Sequence, residues 1–219
     1  MRKTVEAITW YEPPDQIINK LLTRRGWDYH RDPVNKKIRD LALIAVLYVG
    51  TARITEAVGG TVKIQGKDHT LPGITRDQFI EQDQAIWLRH LPIIKQKYVK
   101  RGGRWVPILS VRDYPKRVEI PFMLDDEPIN RFTYFLRDHL ETIPDGEPVF
   151  KIQRTRGNQI IDEYDPEWFP HYFRDQGLRY WNRYFKRDSF KLKKFSGHKR
   201  WSSLEKYMNS ELYHTLGDT

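Results

Sequence analysis

The sequence predicts an α+β fold, mainly α-helical with one small antiparallel β-sheet, and three observations predict it. The first and last thirds carry apolar residues at helical spacing. The middle third carries β-branched and aromatic runs broken by glycine. No repeat, low-complexity segment or interdomain linker divides the 219 residues. A chain of this length can bury one sizeable core, so residues 1–219 are expected to form a single domain.

Pro13, Pro14 and Asp15 start a helix ahead of QIINKLLTRR, with Ile17, Ile18, Leu21 and Leu22 on one face. A turn-like GWDYHRDPVN leads to NKKIRDLALIAVLYVG (35–50). There Ile38, Leu41, Ala42, Ala45 and Val49 recur at helical spacing, Gly50 ends the helix, and Arg53 follows just past its end. Residues 59–73 are Gly-rich and polar, a loop or small hairpin. AIWLRHLPIIK (85–95) and RVEIPF (117–122) read as strands, separated by the basic, glycine-containing segment 98–116. Helices dominate from Asn130 onward: RFTYFLRDHLETI, EWFPHYFRDQGLRYWNRYF, DSFKLKKF and a short last helix. Ser202 followed three residues later by Glu205 has the form of a capping box, so that helix should begin near Ser203 and carry Tyr207 on its second turn.

Composition narrows the chemistry. There is no cysteine, which excludes disulfides, thiol catalysis and Cys-based zinc sites. The seven histidines are scattered without an H-x-x-x-H pair, which disfavours a metal enzyme. No apolar run approaches the roughly 20 residues of a membrane span, and the N-terminal stretch MRKTVEAITWYEPPD has no apolar core like a secretory signal; the expected location is cytoplasmic, away from membranes. The net charge of +9 points to a polyanionic partner, because neutralising phosphates supplies most non-specific nucleic-acid affinity.

Four motifs could carry chemistry, and each has a plainer alternative. Arg53 at a helix end with Glu56 three residues on could hold its planar fork toward two phosphate oxygens, or be a surface ion pair. His171 and Arg174 share a helix face and could address one phosphate, or be solvated opposite buried aromatics. Lys95, at a strand end before a turn region, could enter a DNA groove or protonate a leaving oxygen. Lys97, Lys100, Arg112 and Lys116 compete for that role. Gly197-His198, followed nine residues later by Tyr207, poses the sharpest choice: Tyr207 is either a core residue or a nucleophile.

Taken in order on a basic chain, TARITEAV around Arg53, HYFRDQGLRYW around His171 and Arg174, and FSGHKRWSSLEKYM around His198 and Tyr207 resemble the catalytic domain of the tyrosine recombinase (phage integrase) family. The resemblance runs from about Pro14 to Leu212, and the Gly-His to Tyr spacing is its most specific element. It implies a site-specific recombinase that cleaves and rejoins double-stranded DNA without metal or cofactor. Tyr207 would form the 3′-phosphotyrosyl link, Arg53, Arg174 and His198 would hold the phosphate, and His171 would help take the tyrosine proton or position the phosphate. A lysine, Lys95 first, would protonate the leaving 5′-oxygen, and Glu56 would orient Arg53 from behind. It also implies self-assembly on DNA as a tetrameric synapse, with the tail from Met208 to Thr219 docking on a neighbour, and a nucleoid-associated location. With 52 residues ahead of Arg53, a catalytic domain without a separate N-terminal core-binding domain is expected.

The sequence departs from the family pattern in three places. Gly50-Thr51-Ala52-Arg53 stands where the family has Thr-Gly-hydrophobic-Arg. Asp175 stands where histidine is common. Segment 59–118 is expanded. A type IB topoisomerase-like relaxing enzyme and a non-catalytic basic DNA-binding protein are the alternative functions.

Overall fold

The structure is a computed structural model that describes residues 11–23, 33–64, 67–82, 85–91, 94–111, 116–121, 127–198 and 200–208. Its helices are α1 (Pro14–Thr23), α2 (Pro33–Tyr48), α3 (Ile54–Val58), α4 (Glu127–Leu140), α5 (Arg154–Tyr164), α6 (Pro170–Tyr184), α7 (Ser189–Ser196) and α8 (Glu205–Met208). Seven strands lie between α3 and α4: β1 (Gly60–Ile64), β2 (Lys67–Leu71), β3 (Phe79–Gln82), β4 (Ala85–Leu91), β5 (Ile94–Arg101), β6 (Arg104–Val111) and β7 (Lys116–Pro121).

Two helices form the centre. Every residue of α2 from Asp40 onward is buried, as the continuous apolar run LALIAVLY requires. In α6 everything from Tyr172 to Asn182 is buried. These helices cross where Gly177 meets Tyr48 so closely that a Cβ on Gly177 would lie 1.9 Å from the Tyr48 carbonyl oxygen. The Trp181 indole N–H donates to the Val49 carbonyl at 2.9 Å beside that crossing. Around this pair α4 buries Ile129, Phe132, Leu136 and Leu140, a stripe at helical spacing, and Phe132 stacks on Tyr48 with ring centroids 4.9 Å apart. On α1 the apolar face is narrower than its sequence suggests: Ile17, Ile18 and Leu21 are buried, while Leu22 is exposed.

The Gly177 contact carries a test. A backbone oxygen cannot step aside as a side chain can, so Gly177→Ala forces α2 and α6 apart. Overpacking of this kind costs ~1–3 kcal/mol or more, which for a chain of this size lowers Tm by roughly 2–12 °C. An unchanged Tm would mean that the two helices do not touch there.

The middle third differs in detail from its sequence reading. Within the segment read as a loop or small hairpin, β1 and β2 pair antiparallel, from Gly60 opposite Leu71 to Ile64 opposite Lys67. Among the described residues, however, the strands form three small sheets, β1-β2, β3-β4-β7 and β5-β6, all antiparallel. The run AIWLRHLPIIK reads as one strand on propensity, but Pro92 inside it has no amide to donate, and the ladder stops at Leu91 and restarts at Ile94 in a different sheet. The segment from 98 onward, expected to be a connection, instead carries the end of β5, the tip at Gly102 and Gly103 and the whole of β6. Lys95 is therefore not a tip residue. It lies opposite Ser110 at the far end of that ladder, whereas Lys100, opposite Trp105, is the lysine beside the turn.

The C-terminal end is also corrected. Ser202 does not cap a helix: it sits inside a 3-10 turn, Trp201–Ser203, and α8 is a single turn from Glu205. This geometry places Leu204 and Tyr207, three apart, both in the core, so burial of two apolar bodies overrides the local capping signal.

Candidate active site

The turn after α2 creates the first corner of the site. Thr51 adopts φ 46 and is fully buried. It occupies the position at which the resembled family pattern has glycine, the residue that enters the left-handed region without a Cβ penalty. The turn delivers Arg53 to the N-cap of α3 in extended backbone. Glu56, itself buried, accepts the Arg53 backbone N–H at 2.8 Å through Oε2 and the Arg53 guanidinium at 2.5 Å through Oε1. The predicted R-x-x-E pair is thus a one-carboxylate clamp on both ends of the arginine, not a solvated surface pair. The Arg53 side chain keeps 33% of its surface open.

Arg174 comes from the middle of α6, and only 1% of it is exposed. One guanidinium nitrogen, Nη1, donates to the Thr51 carbonyl oxygen, so the strained turn and the second arginine hold one another. Its other terminal nitrogen, Nη2, is buried without a hydrogen-bond partner. Burial lowers the Arg174 pKa to about 10, and Arg53 pushes in the same direction, while Glu56, Tyr207 and Asp175 oppose the shift. Folding therefore works against the charged guanidinium at every pH below that value. An anion beside it would offset that cost.

Gly197, in the left-handed conformation at φ 66 and ψ 27, ends α7 and returns its N–H to the Lys193 carbonyl at 3.0 Å. His198 follows at once, with Nδ1 2.7 Å from Ser196 Oγ and its ring centroid 6.3 Å from that of Tyr207. Tyr207 is 2% exposed. Its hydroxyl donates to Asp175 Oδ1 at 2.5 Å, and its carbonyl accepts from Asn182 Nδ2 at 3.1 Å. Burial raises the phenol pKa well above the usual tyrosine value. The charge and hydrogen bond of Asp175 raise it further, against smaller opposing effects of Arg174 and Arg179. The hydroxyl is accordingly protonated at neutral pH.

His171, on the first turn of α6, has 46% of its side chain exposed, and its Nε2 lies 3.4 Å from the same Asp175 oxygen. With Arg53 and Thr55 it lines an open cleft of about 270 Å³. Arg154 and Asn158 of α5 line the same cleft, and the sequence reading missed both. A usable signal existed: the first helical turn after Gln153 carries Arg154 and Arg156 and no acid, against the helix dipole. Arg156 is occupied by Glu163 at 2.6 Å, whereas Arg154 has no ion pair among the described residues.

Arg53, Glu56, Arg174, Asp175, His171, His198 and Tyr207 are therefore neighbours, drawn from α3, α6, the end of α7 and α8. The lysine is the exception. Lys95, Lys97 and Lys116 lie on strands whose side chains there are outside the described ones, and Arg112 and the tail beyond Met208 are outside the described residues altogether. Also among the described residues, no three His, Asp or Glu side chains converge as a metal-ligand set, and no helix is long and apolar enough to cross a membrane.

No protein-family model and no curated protein matches the chain. Among solved structures it is similar to one described as the Tn1549 transposon integrase, residues 82–397 with Y379F, in complex with transposon right end DNA. The likeness covers 100% of this chain and 68% of that one, at 12% identity and a TM-score of 0.47.

Chemically the site joins two guanidinium groups, two imidazoles and a phenol with two buried carboxylates. The open half, Arg53 and His171 at the cleft, can meet a ligand directly. The closed half, Arg174 and Tyr207, is buried, at 1% and 2% exposure.

Proposed function

We propose that this chain is the catalytic domain of a site-specific DNA recombinase or integrase that cleaves and rejoins strands through a 3′-phosphotyrosine. The observation that carries the reading is Arg174, a buried guanidinium with one nitrogen unsatisfied, close enough to Arg53, Glu56 and Tyr207 to feel the charge of each. A core that needed only packing would gain little from two cations there.

In this reading the scissile phosphodiester enters over the Arg53–His171 cleft and reaches Arg174 and Tyr207 behind it. Tyr207 attacks phosphorus in line with the 5′-oxygen, which leaves as a free hydroxyl after taking a proton from a lysine. Charge gathers on the non-bridging oxygens, where Arg53 and Arg174 supply fixed positive charge and His198 a hydrogen bond. Glu56 keeps Arg53 aimed. The covalent link conserves the bond energy, so rejoining needs no nucleotide cofactor. Assembly of four copies on paired sites, with a nucleoid-associated location, completes the proposal.

The deciding experiment is incubation with a nicked suicide duplex followed by denaturing electrophoresis. A covalent protein-DNA adduct supports the reading. DNA binding without adduct favours the alternative that the burial of Tyr207 also suits, a non-catalytic DNA-binding protein with Tyr207 in its core.

The lysine is assigned by the leaving group. A 5′-bridging sulfur leaves without a proton, so the variant lacking the general acid is slow on the oxygen substrate and near wild type on the sulfur one. Lys95→Ala, Lys97→Ala, Lys100→Ala and Lys116→Ala are to be compared, and Lys95 is expected to show selective rescue. Rescue in another of the four moves the role there. Rescue in none removes the β-strand lysines from the chemistry.

A further inference from the structure

The residue that departs from the family pattern holds the nucleophile. Asp175 follows Arg174 on α6 and is 4% exposed. Its Oδ1 receives the Tyr207 hydroxyl at 2.5 Å and also faces His171 Nε2 at 3.4 Å. His171, the residue expected from sequence to help take the proton, touches the carboxylate on the side open to the cleft, so the carboxylate stands between imidazole and phenol. Nothing in the sequence pattern assigns Asp175 a role, and a negative charge there is costly beside a phosphate unless it is discharged during the reaction.

We propose that Asp175 is the general base for Tyr207. This rests on the function proposed above. The Oη–H bond of Tyr207 breaks, and its proton goes to Asp175 Oδ1. The freed electron pair forms the Oη–P bond. The P–O5′ bond breaks, and its electron pair stays on O5′, which is protonated by the lysine. In rejoining, the 5′-hydroxyl returns its proton to the lysine as it attacks, the P–Oη bond breaks, and Asp175 gives its proton back to the phenolate. The charges support this order. Before attack the site holds one carboxylate charge and one phosphodiester charge against Arg53 and Arg174. As the second negative charge builds on the phosphorane, Asp175 becomes neutral, and the two arginines again face two negative charges. His171 is then a positioning residue that orients the carboxylate from the cleft side.

The test uses the full chain and single-turnover cleavage of the nicked suicide duplex, with duplex affinity and Tm measured in parallel. Asp175→Asn keeps an oxygen for the Tyr207 hydroxyl but cannot hold the proton. It is expected to cleave ~10²- to 10⁴-fold more slowly with affinity within about twofold of wild type, and Asp175→Glu is expected to recover part of the rate. Asp175→Ala opens a space beside the hydroxyl, so added formate is expected to restore cleavage in a concentration-dependent way, which a purely structural carboxylate would not allow. Wild-type cleavage by Asp175→Asn, or an absence of formate rescue in folded Asp175→Ala, overturns the assignment. Faster cleavage by Asp175→Asn also overturns it and makes the carboxylate a latch on the tyrosine. If the wild-type chain forms no adduct, the proposed function fails with it; if wild type forms adduct and Asp175→Asn matches it, only the base assignment fails.

Discussion

Tyr207→Phe is expected to form no covalent adduct with the suicide duplex while its affinity for the same DNA stays within about twofold of wild type. The substitution removes one oxygen and almost no surface, so binding has no reason to change, whereas the in-line nucleophile is gone. Stability should fall, because the lost hydrogen bond reaches a charged partner, Asp175, and bonds of that type are worth ~1.5–3 kcal/mol. A melting curve alongside the gel therefore separates lost chemistry from lost fold. Adduct persisting at wild-type yield would move the nucleophile elsewhere, with Tyr213 the next residue to test. Adduct lost together with DNA affinity would mean that Tyr207 is a packing residue whose removal disturbs the whole face.

Arg174→Met is expected to split activity from stability. Deleting one electrostatic contact to a transition state typically costs ~10²–10³ in rate, and Arg174 is the more enclosed of the two cations, so at least that loss is anticipated. The fold should change little in net: methionine removes a buried guanidinium that has an unsatisfied Nη2, whose burial is costly, but it also leaves the buried Thr51 carbonyl oxygen without its donor, which opposes that gain by ~1–3 kcal/mol. A Tm near that of wild type with collapsing cleavage is the behaviour of a group kept for chemistry rather than for stability. Cleavage at wild-type rate would remove Arg174 from the phosphate site. A large drop in Tm with cleavage per folded molecule intact would make its bond to Thr51 a structural strut.

Much of the arrangement was legible locally. The apolar run of α2, the stop near Gly50, the arrival of Arg53 just past that helix and the face shared by His171 and Arg174 all follow from helical spacing and turn residues. Each depends on neighbours within a few positions. Arg154 and Asn158 could have been suspected from a basic first turn, but nothing local says that α5 packs beside α3, where Gly157 lies against the Ile54 side chain.

What the sequence alone determined, then, is the helices α1, α2, α4, α6 and α7, the basic character and the chain order of Arg53, His171, Arg174, His198 and Tyr207, while α3 and α5 went unread. Tertiary structure alone decided the strand partners, the position of Lys95 far from the hairpin tip, the single-turn form of α8 and the burial of Tyr207 against Asp175. Strand register depends on residues distant in sequence, as β4 finding β7 rather than β5 shows. The capping signal at Ser202 lost to the burial of Leu204 and Tyr207, because packing two large side chains outweighs one hydrogen bond at a helix end. Asp175 read in sequence as a stray charge near a phosphate. Only the close crossing of α6 on α2, and the docking of α8 against α6, brings its carboxylate to the tyrosine hydroxyl, where a buried charge must find a donor to be tolerated at all.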